Sequence, residues 1–347
     1  MENQPESQNA PARKIKSLLG AFPVLNRAVN GKGLTSQLAR HGVGSLIIKV
    51  SDAAFSFLVT VTLARTLGPS GYGSYSYVFA IIMLLAIPAQ FGLPSLLVRE
   101  TAKALARQEW GRMQGVWRWA GKFTGILTVV LVLGTGIAVL FFGKNFSQEK
   151  LHIMLWGLAL VPLLALGELR GAALRGLHRV IEGQIPEQAL FPILFFLFIA
   201  GGVYLFPVGI TPVSAMALQV AAAALAFITG AWLLWRATPT EVHHAAPTYE
   251  SRQWLMSALP LAFIGGMQLI NNRTSILILG MFTDSAQVGI FRVADQMALL
   301  ITIGLQTINL VVAPQFARLH AMGDIKRLQK LVTVSARISF LMTALLG

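Results

Sequence analysis

Long apolar runs separated by short polar stretches dominate the chain, and their lengths set the first expectation. Nine runs occupy about residues 42–64, 76–98, 120–142, 151–169, 184–206, 211–235, 254–281, 288–313 and 331–347. About 20 helical residues cross the hydrocarbon core of a bilayer, so each run predicts a membrane-spanning helix. The polar stretches between them have about 20 residues at most, near 99–119 and 236–253, too few for a domain with a core of its own. The predicted fold class is therefore all-α, a polytopic membrane helix bundle. The ninth run stops at Gly347 with no polar flank, which reads as a fragment of a longer protein.

Composition agrees with this pattern and removes alternatives. Of 347 residues 55% are hydrophobic and 12% charged, with a mean hydropathy of +0.65. Soluble domains carry about 25% charged residues, so a water-soluble enzyme is excluded. The 28 Lys and Arg against 14 Asp and Glu give a net charge of +14, which in a soluble chain would suggest nucleic acid. Here the positions explain it. Assigning loops to alternate sides puts 21 basic residues on the side of the N-terminus and three (Arg65, Lys144, Lys150) on the other, with four inside spans. Cytoplasmic loops hold the excess of Lys and Arg, so the N-terminus is expected in the cytoplasm, and membrane lipids rather than nucleic acid are the expected partner. Residues 1–41 form a cytoplasmic tail. Within it Ile15, Leu18, Leu19 and Phe22 repeat at helical spacing beside Lys14 and Lys16, predicting a short interfacial helix ended by Pro23. Residues 1–10 read as disordered.

Candidate chemistry lies inside the spans, where charge costs at least ~2.5–3.5 kcal/mol and marks a cavity or a partner. Lys49 and Asp52, three apart on the first span, read either as a self-neutralised pair with Lys49 snorkelling to the interface or as a substrate or proton site. Asn271, Asn272, Arg273 and Thr274 are consecutive on the seventh span. At 100° per residue they wrap most of the helix, so either the helix breaks there or the stretch lines water. Arg273 is the deepest basic residue, and its planar fork suits phosphate. Arg292 and Asp295 form another i, i+3 pair, read as a local salt bridge or a coupling pair. Gln90, Gln268, Gln296 and Gln306 read as interhelical hydrogen-bonding groups, and Gly121-x-x-x-Gly125 as a helix-packing motif. There is no cysteine, and the six histidines lie in or beside loops without ligand spacing. No catalytic set, metal site or cofactor is expected.

Several short motifs also carry a family resemblance. Leu63-Ala64-Arg65-Thr66-Leu67-Gly68-Pro69-Ser70-Gly71-Tyr72-Gly73-Ser74-Tyr75 reads locally as a helix end, a Gly-Pro break and a tight reversal. It resembles the first hairpin of the polysaccharide exporter and oligosaccharide flippase family, in the superfamily that contains multidrug and toxin extruders and lipid II flippases. Phe91-Gly92-Leu93-Pro94 with Leu97-Val98-Arg99-Glu100 is similar to that family's second-helix exit. Arg170-Gly171 with Leu174 to Arg179 resembles its fourth-to-fifth loop. Ala286 to Phe291, Ala313-Pro314-Gln315-Phe316 and Gly323-Asp324 resemble its eighth helix and the loop after it.

The resemblance implies a two-lobed transporter fold. Residues 42–235 would be the N-terminal lobe, 236–253 a cytoplasmic inter-lobe loop and 254–347 the start of a truncated C-terminal lobe. A shift of 216 residues, equal to six spans, aligns Gly73 with Gly289, Tyr75 with Phe291 and Gln90 with Gln306. The implied function is flipping of a polyprenyl-diphosphate-linked oligosaccharide from the cytoplasmic to the outer leaflet of the cell membrane by alternating access. Glycan polymerase and glycosyltransferases of the same pathway are implied partners. Arg273, Asn271, Asn272 and Lys49 would meet the substrate, with Asp52 tuning Lys49 or taking a coupling proton. A multidrug extruder of the same fold is the alternative, and would need acidic and aromatic groups in the cavity, of which Asp52 is the good candidate. A membrane glycosyltransferase or polymerase ranks last, since the outer loops hold eight residues or fewer apart from the 65–75 hairpin.

Overall fold

The structure is a computed structural model that describes residues 34–142, 147–205 and 209–298, with residues 324, 325, 327–329, 331–333 and 335–337. Side chains are described for these except residues 34–43, 140, 142, 204, 205, 268, 269 and 271–273. The tail helix, most of the eighth run and the end of the ninth lie outside the described residues. The described elements are all helical. The chain divides into two compact units, Met1–Ile47 and Ile48–Gly347. Only the beginning of a helix is described in the first; the second contains the membrane bundle.

Helix α1 runs Leu34–Gln90 and contains two spans, because it reverses at Gly68 (φ 68°, ψ 174°) before Pro69. That positive φ is open to glycine at no steric cost, and the proline after it has no N–H to lose. The hairpin therefore takes a single residue, tighter than the 65–75 turn expected from sequence. Helix α2 (Leu93–Arg107) comes after a second left-handed glycine, Gly92. Then come α3 (Trp110–Phe142), α4 (Gln148–Leu158), α5 (Leu160–Gly176), a π-turn at Pro186–Leu190 leading into α6 (Phe191–Leu205), and α7 (Pro212–Ala237), which opens on a Thr211/Ser214 capping box. Short α8 (Thr240–His244) precedes α9 (Ser251–Phe282), and residues 285–298 form α10. Five helical stretches among the described residues are long and apolar enough to cross a membrane, the first of them being the two-span α1. The third run was expected to begin at residue 120; α3 starts ten residues earlier because Met113, Gln114 and Val116 bury one face of its first turns.

Two ends of the bundle can be named from their chemistry: a hairpin end at Gly68 and a basic end carrying α2. Near the hairpin end the second half of α1, α4, α6 and α7 enclose Leu63, Val78, Ile82, Ile153, Leu160, Ile199 and Met216. Tyr72, Tyr75 and Phe79 stack along α1 at ring separations of 6.2 and 6.1 Å, and buried Tyr75 Oη donates to Gln219 Oε1 at 2.7 Å. At the basic end α2 packs against α5, and Trp254 of α9 enters a second cluster with Leu93, Leu96, Val116 and Ala120. Its ring lies 5.5 Å from that of Trp119, which stacks on Phe123. The Gly121-x-x-x-Gly125 motif has no such role: a Cβ at either glycine would meet nothing within 4 Å, so among the described residues it packs against no helix.

Trp254 is 1% exposed and joins α9 to this platform. Trp254→Ala is expected to destabilise the detergent-solubilised protein by about 3–5 kcal/mol, the usual cost of deleting a buried aromatic, read as a large fall in the melting midpoint.

Candidate functional site

Contacts toward both ends of α9 set it antiparallel to the second half of α1, and the polar stretch 271–274 lies between them. A Cβ on Gly92 would lie 2.8 Å from the Ala258 carbonyl oxygen, and one on Gly266 would lie 3.5 Å from Ile87. Further along, Ala80 and Ile276 share a buried cluster with Val288, and Tyr77 covers Gly280. Positions 258, 262, 266, 276 and 280 thus form the stripe of α9 turned toward α1, while Met256, Leu259, Phe263, Met267, Ile270 and Met281 are exposed on the opposite side. Turning 100° per residue puts position 273 on the α1-facing stripe, 272 at its edge and 271 and 274 on the exposed side. Opposite position 273 the α1 sequence is Ile81-Ile82-Met83-Leu84-Leu85, which offers no counter-charge.

Helix α9 is continuous through this stretch, so the local break considered from sequence does not occur. Thr274 Oγ1 donates to the Ile270 carbonyl at 2.5 Å, the usual way for threonine to satisfy its hydroxyl within a helix. The side chains of Asn271, Asn272 and Arg273 lie outside the described residues. Lys49 is exposed and Asp52 half-buried. Asp52 Oδ1 accepts a hydrogen bond from Ser56 Oγ at 3.4 Å, and no ion pair within 4 Å joins it to Lys49 among the described residues. Phe55, on the same helix, packs edge-on to Phe196 at 5.9 Å. On α10, Arg292 Nη1 sits 2.7 Å from Asp295 Oδ2.

Two charged clusters appear that sequence spacing did not bring together. Arg170 of α5, placed among the loop cations by sequence, is 6% exposed. Its guanidinium pairs with Glu187, donates to the Phe227 carbonyl and covers the Phe227 ring, so it ties α5, the π-turn and α7 into one block. The other cluster surrounds Glu100 of α2, outside the membrane-length helices. Buried Glu100 contacts Arg99 at 3.1 Å, Lys103 at 3.2 Å and Arg112 at 3.0 Å. Arg112 also reaches Glu250 at 2.9 Å, immediately before α9. Residues 246–250 lie as a strap across the first turns of α3, where Thr248 N–H donates to the Gly111 carbonyl at 3.0 Å. Pairs so distant in sequence leave no periodic signal; the one hint was the match of Arg99-Glu100 and Arg170-Gly171 to family motifs. The described residues hold no group of three His, Cys, Asp or Glu that could bind a metal ion.

A sequence profile described as polysaccharide biosynthesis protein matches residues 39–320, which takes in α1 to α10 and the seam between α1 and α9. The chain belongs to this family. No curated protein sequence matches it significantly. Among solved structures, an inward-facing multidrug resistance MATE family transporter of the MOP superfamily is similar over 86% of this chain and 71% of its own, with TM-score 0.64 at 14% identity. A MATE protein in the straight conformation matches over 88% and 70%, with TM-score 0.61 at 13% identity. An outward-facing MATE family transporter matches over 88% and 69%, with TM-score 0.59 at 14% identity. The chain therefore shares the fold of these MATE structures, and its membrane-length apolar helices make it a multi-pass membrane protein.

Burial alone would raise the Glu100 pKa. The hydrogen bond from Lys103 and the charges of Lys103, Arg112 and Arg99 outweigh it and hold the carboxyl below its ordinary value of 4.5. A depressed carboxylate contributes stability that is present above its ordinary value and lost as pH falls through the lower folded one. Glu100→Gln is thus expected to lower stability at pH 7 by about 1–3 kcal/mol. Melting curves should show the gap from wild type closing as the pH drops below 4.5.

Proposed function

We propose that this transporter flips a polyprenyl-diphosphate-linked oligosaccharide, a polysaccharide or O-antigen repeat unit, from the cytoplasmic to the outer leaflet by alternating access. The basic end would face the cytoplasm. Residues 42–235 would form one lobe, 254 onward would begin the other, and the substrate headgroup would cross between them while its polyprenyl tail stays in lipid. The observation that supports this reading is the continuity of α9: carried at 100° per residue from the contacts at 266 and 276, its register would turn position 273 toward α1 and the apolar run Ile81 to Leu85. A cation placed there without a protein counter-charge is expensive in hydrocarbon unless an anion passes it.

A diphosphate supplies that anion. The guanidinium fork of Arg273 binds two phosphate oxygens at once, and the flanking Asn271 and Asn272 amides serve the remaining oxygens or sugar hydroxyls. Lys49, exposed near the basic end of α1, would make the earlier contact, with Asp52 held by Ser56 beside it. Membership of a polysaccharide biosynthesis family supports a glycan substrate over a drug, because the MATE likeness at this identity speaks for fold alone.

Complementation of a flippase-null strain by the full-length gene tests the site. Arg273→Ala should nearly abolish glycan export at normal expression, and Arg273→Lys, which keeps charge but loses the fork, should impair it partially. Full export by a well-expressed Arg273→Ala protein would remove this residue from the mechanism. Orientation has its own check, since the chain lacks cysteine. A cysteine replacing Gln108 should resist a membrane-impermeant thiol reagent added outside intact cells; labelling there would reverse the topology.

A further inference from the structure

Of the residues that the 216-residue shift aligns, Gly73 and Gly289 touch. A Cβ built on Gly73 would overlap the Ser285 carbonyl oxygen and lie 3.0 Å from Gly289 N. One built on Gly289 would overlap the Pro69 carbonyl oxygen and lie 3.1 Å from Gly73 N. Moving Pro69 and Gly73 along by 216 gives Ser285 and Gly289, so the contact maps onto itself. Residue i meets j as j meets i, the signature of an isologous two-fold interface.

The positions that the same shift assigns to neighbouring contacts are at least partly buried. Tyr77 covers Gly280, and the shifted pair is Val293 with Ala64, both packed against one apolar cluster. Ala80 packs with Ile276, and the shifted pair is Gln296 with Thr60, both buried. A local two-fold axis therefore passes between Gly73 and Gly289, at the hairpin end. Both glycines have helical backbone, so it is space rather than conformation that calls for glycine here. The surroundings are apolar, with Ala80, Ile276 and Val288 beneath, and among the described residues no ion pair crosses the contact.

We propose that the Gly73–Gly289 crossing is the outer gate of the transporter: a backbone-on-backbone closure, centred on the axis that relates the two lobes, which parts when the outer face opens. This rests on the alternating-access reading and adds its moving contact. A crossing without side chains or salt bridges separates without leaving a charge unpaired in lipid, and the glycines let it close again without any rotamer search. Added bulk at either glycine would hold it ajar.

The absence of native cysteine makes the test direct. A Cβ on Gly280 would lie 3.1 Å from Tyr77 Cγ, so the Tyr77→Cys/Gly280→Cys pair, with the ring removed, meets the ~3.5–4.5 Å Cβ separation of a disulfide. Mild oxidation should cross-link this pair in the full-length protein, stop glycan export, and release it on reduction. Adding Gly73→Val or Gly289→Val should reduce the cross-linking yield by a factor of roughly five to thirty, the equilibrium equivalent of overpacking a tight contact. A Leu174→Cys/Gly183→Cys pair, whose Cβ positions lie 3.2 Å apart at the basic end, should cross-link equally in every background and reports correct folding. The gate is overturned if the Tyr77/Gly280 pair fails to cross-link while the control succeeds, if the valine variants cross-link like the parent, or if the oxidised protein exports at full rate. Cross-linking is read on the protein itself, so a wrong glycan assignment leaves those results standing.

Discussion

In lipid an apolar side chain gains little by leaving its neighbours for another helix, so spans associate through close backbone approach and matched polar groups. The antiparallel seam between the second half of α1 and α9 meets that requirement. It runs from Gly92 against Ala258 at the basic end, past Gly266 against Ile87, to Gly280 beneath Tyr77 at the hairpin end. The proposed transport path depends on this seam. It sets the register of α9 against α1, and it brings α10 to the hairpin, where Gly289 crosses Gly73.

The charged clusters at the basic end have a different role from the polar positions along the seam. Arg170 and Glu187 bind three helices of the first six spans to one another, and Phe227 closes over the guanidinium. Glu100 and Arg112 reach across to Glu250 and, with the strap at 246–250 and buried Trp254, fix where α9 begins. These groups are ion-paired within the protein, as buried charge must be. Along the seam the sequence differs: α1 carries the apolar run Ile81 to Leu85, with no charged residue in it. Structural charges are matched within the protein, whereas the proposed transport charge waits for its partner in the substrate.

The sequence exposes the features set by one-dimensional pattern. Apolar run lengths anticipate the membrane helices, and Gly68-Pro69 anticipates the reversal, because hydropathy and backbone chemistry are local properties. Helix α3 begins ten residues ahead of its apolar run because Met113 and Val116 bury against other elements, and hydropathy does not report such partners. Gly121 and Gly125 have helix-packing spacing yet face open space, since spacing cannot say which faces meet. Of the proposed site, Arg273 was chosen by its depth in the seventh run, and the 216-residue shift was legible as a repeat. The continuity of α9 and the reciprocal Gly73–Gly289 contact, by contrast, required three dimensions.

The central claim is movement of a lipid-linked glycan between leaflets, and the most direct measurement is the leaflet in which that glycan collects when the protein is depleted. Depletion in cells whose glycan synthesis continues, then probing with an impermeant glycan-modifying reagent, separates the two pools. The account predicts that lipid-linked oligosaccharide builds up in the cytoplasmic leaflet, shielded from the external reagent, and that restoring the gene returns it to the outer leaflet. Glycan that reaches the outer leaflet at an unchanged rate after depletion, with export of small cationic drugs lost instead, would contradict it.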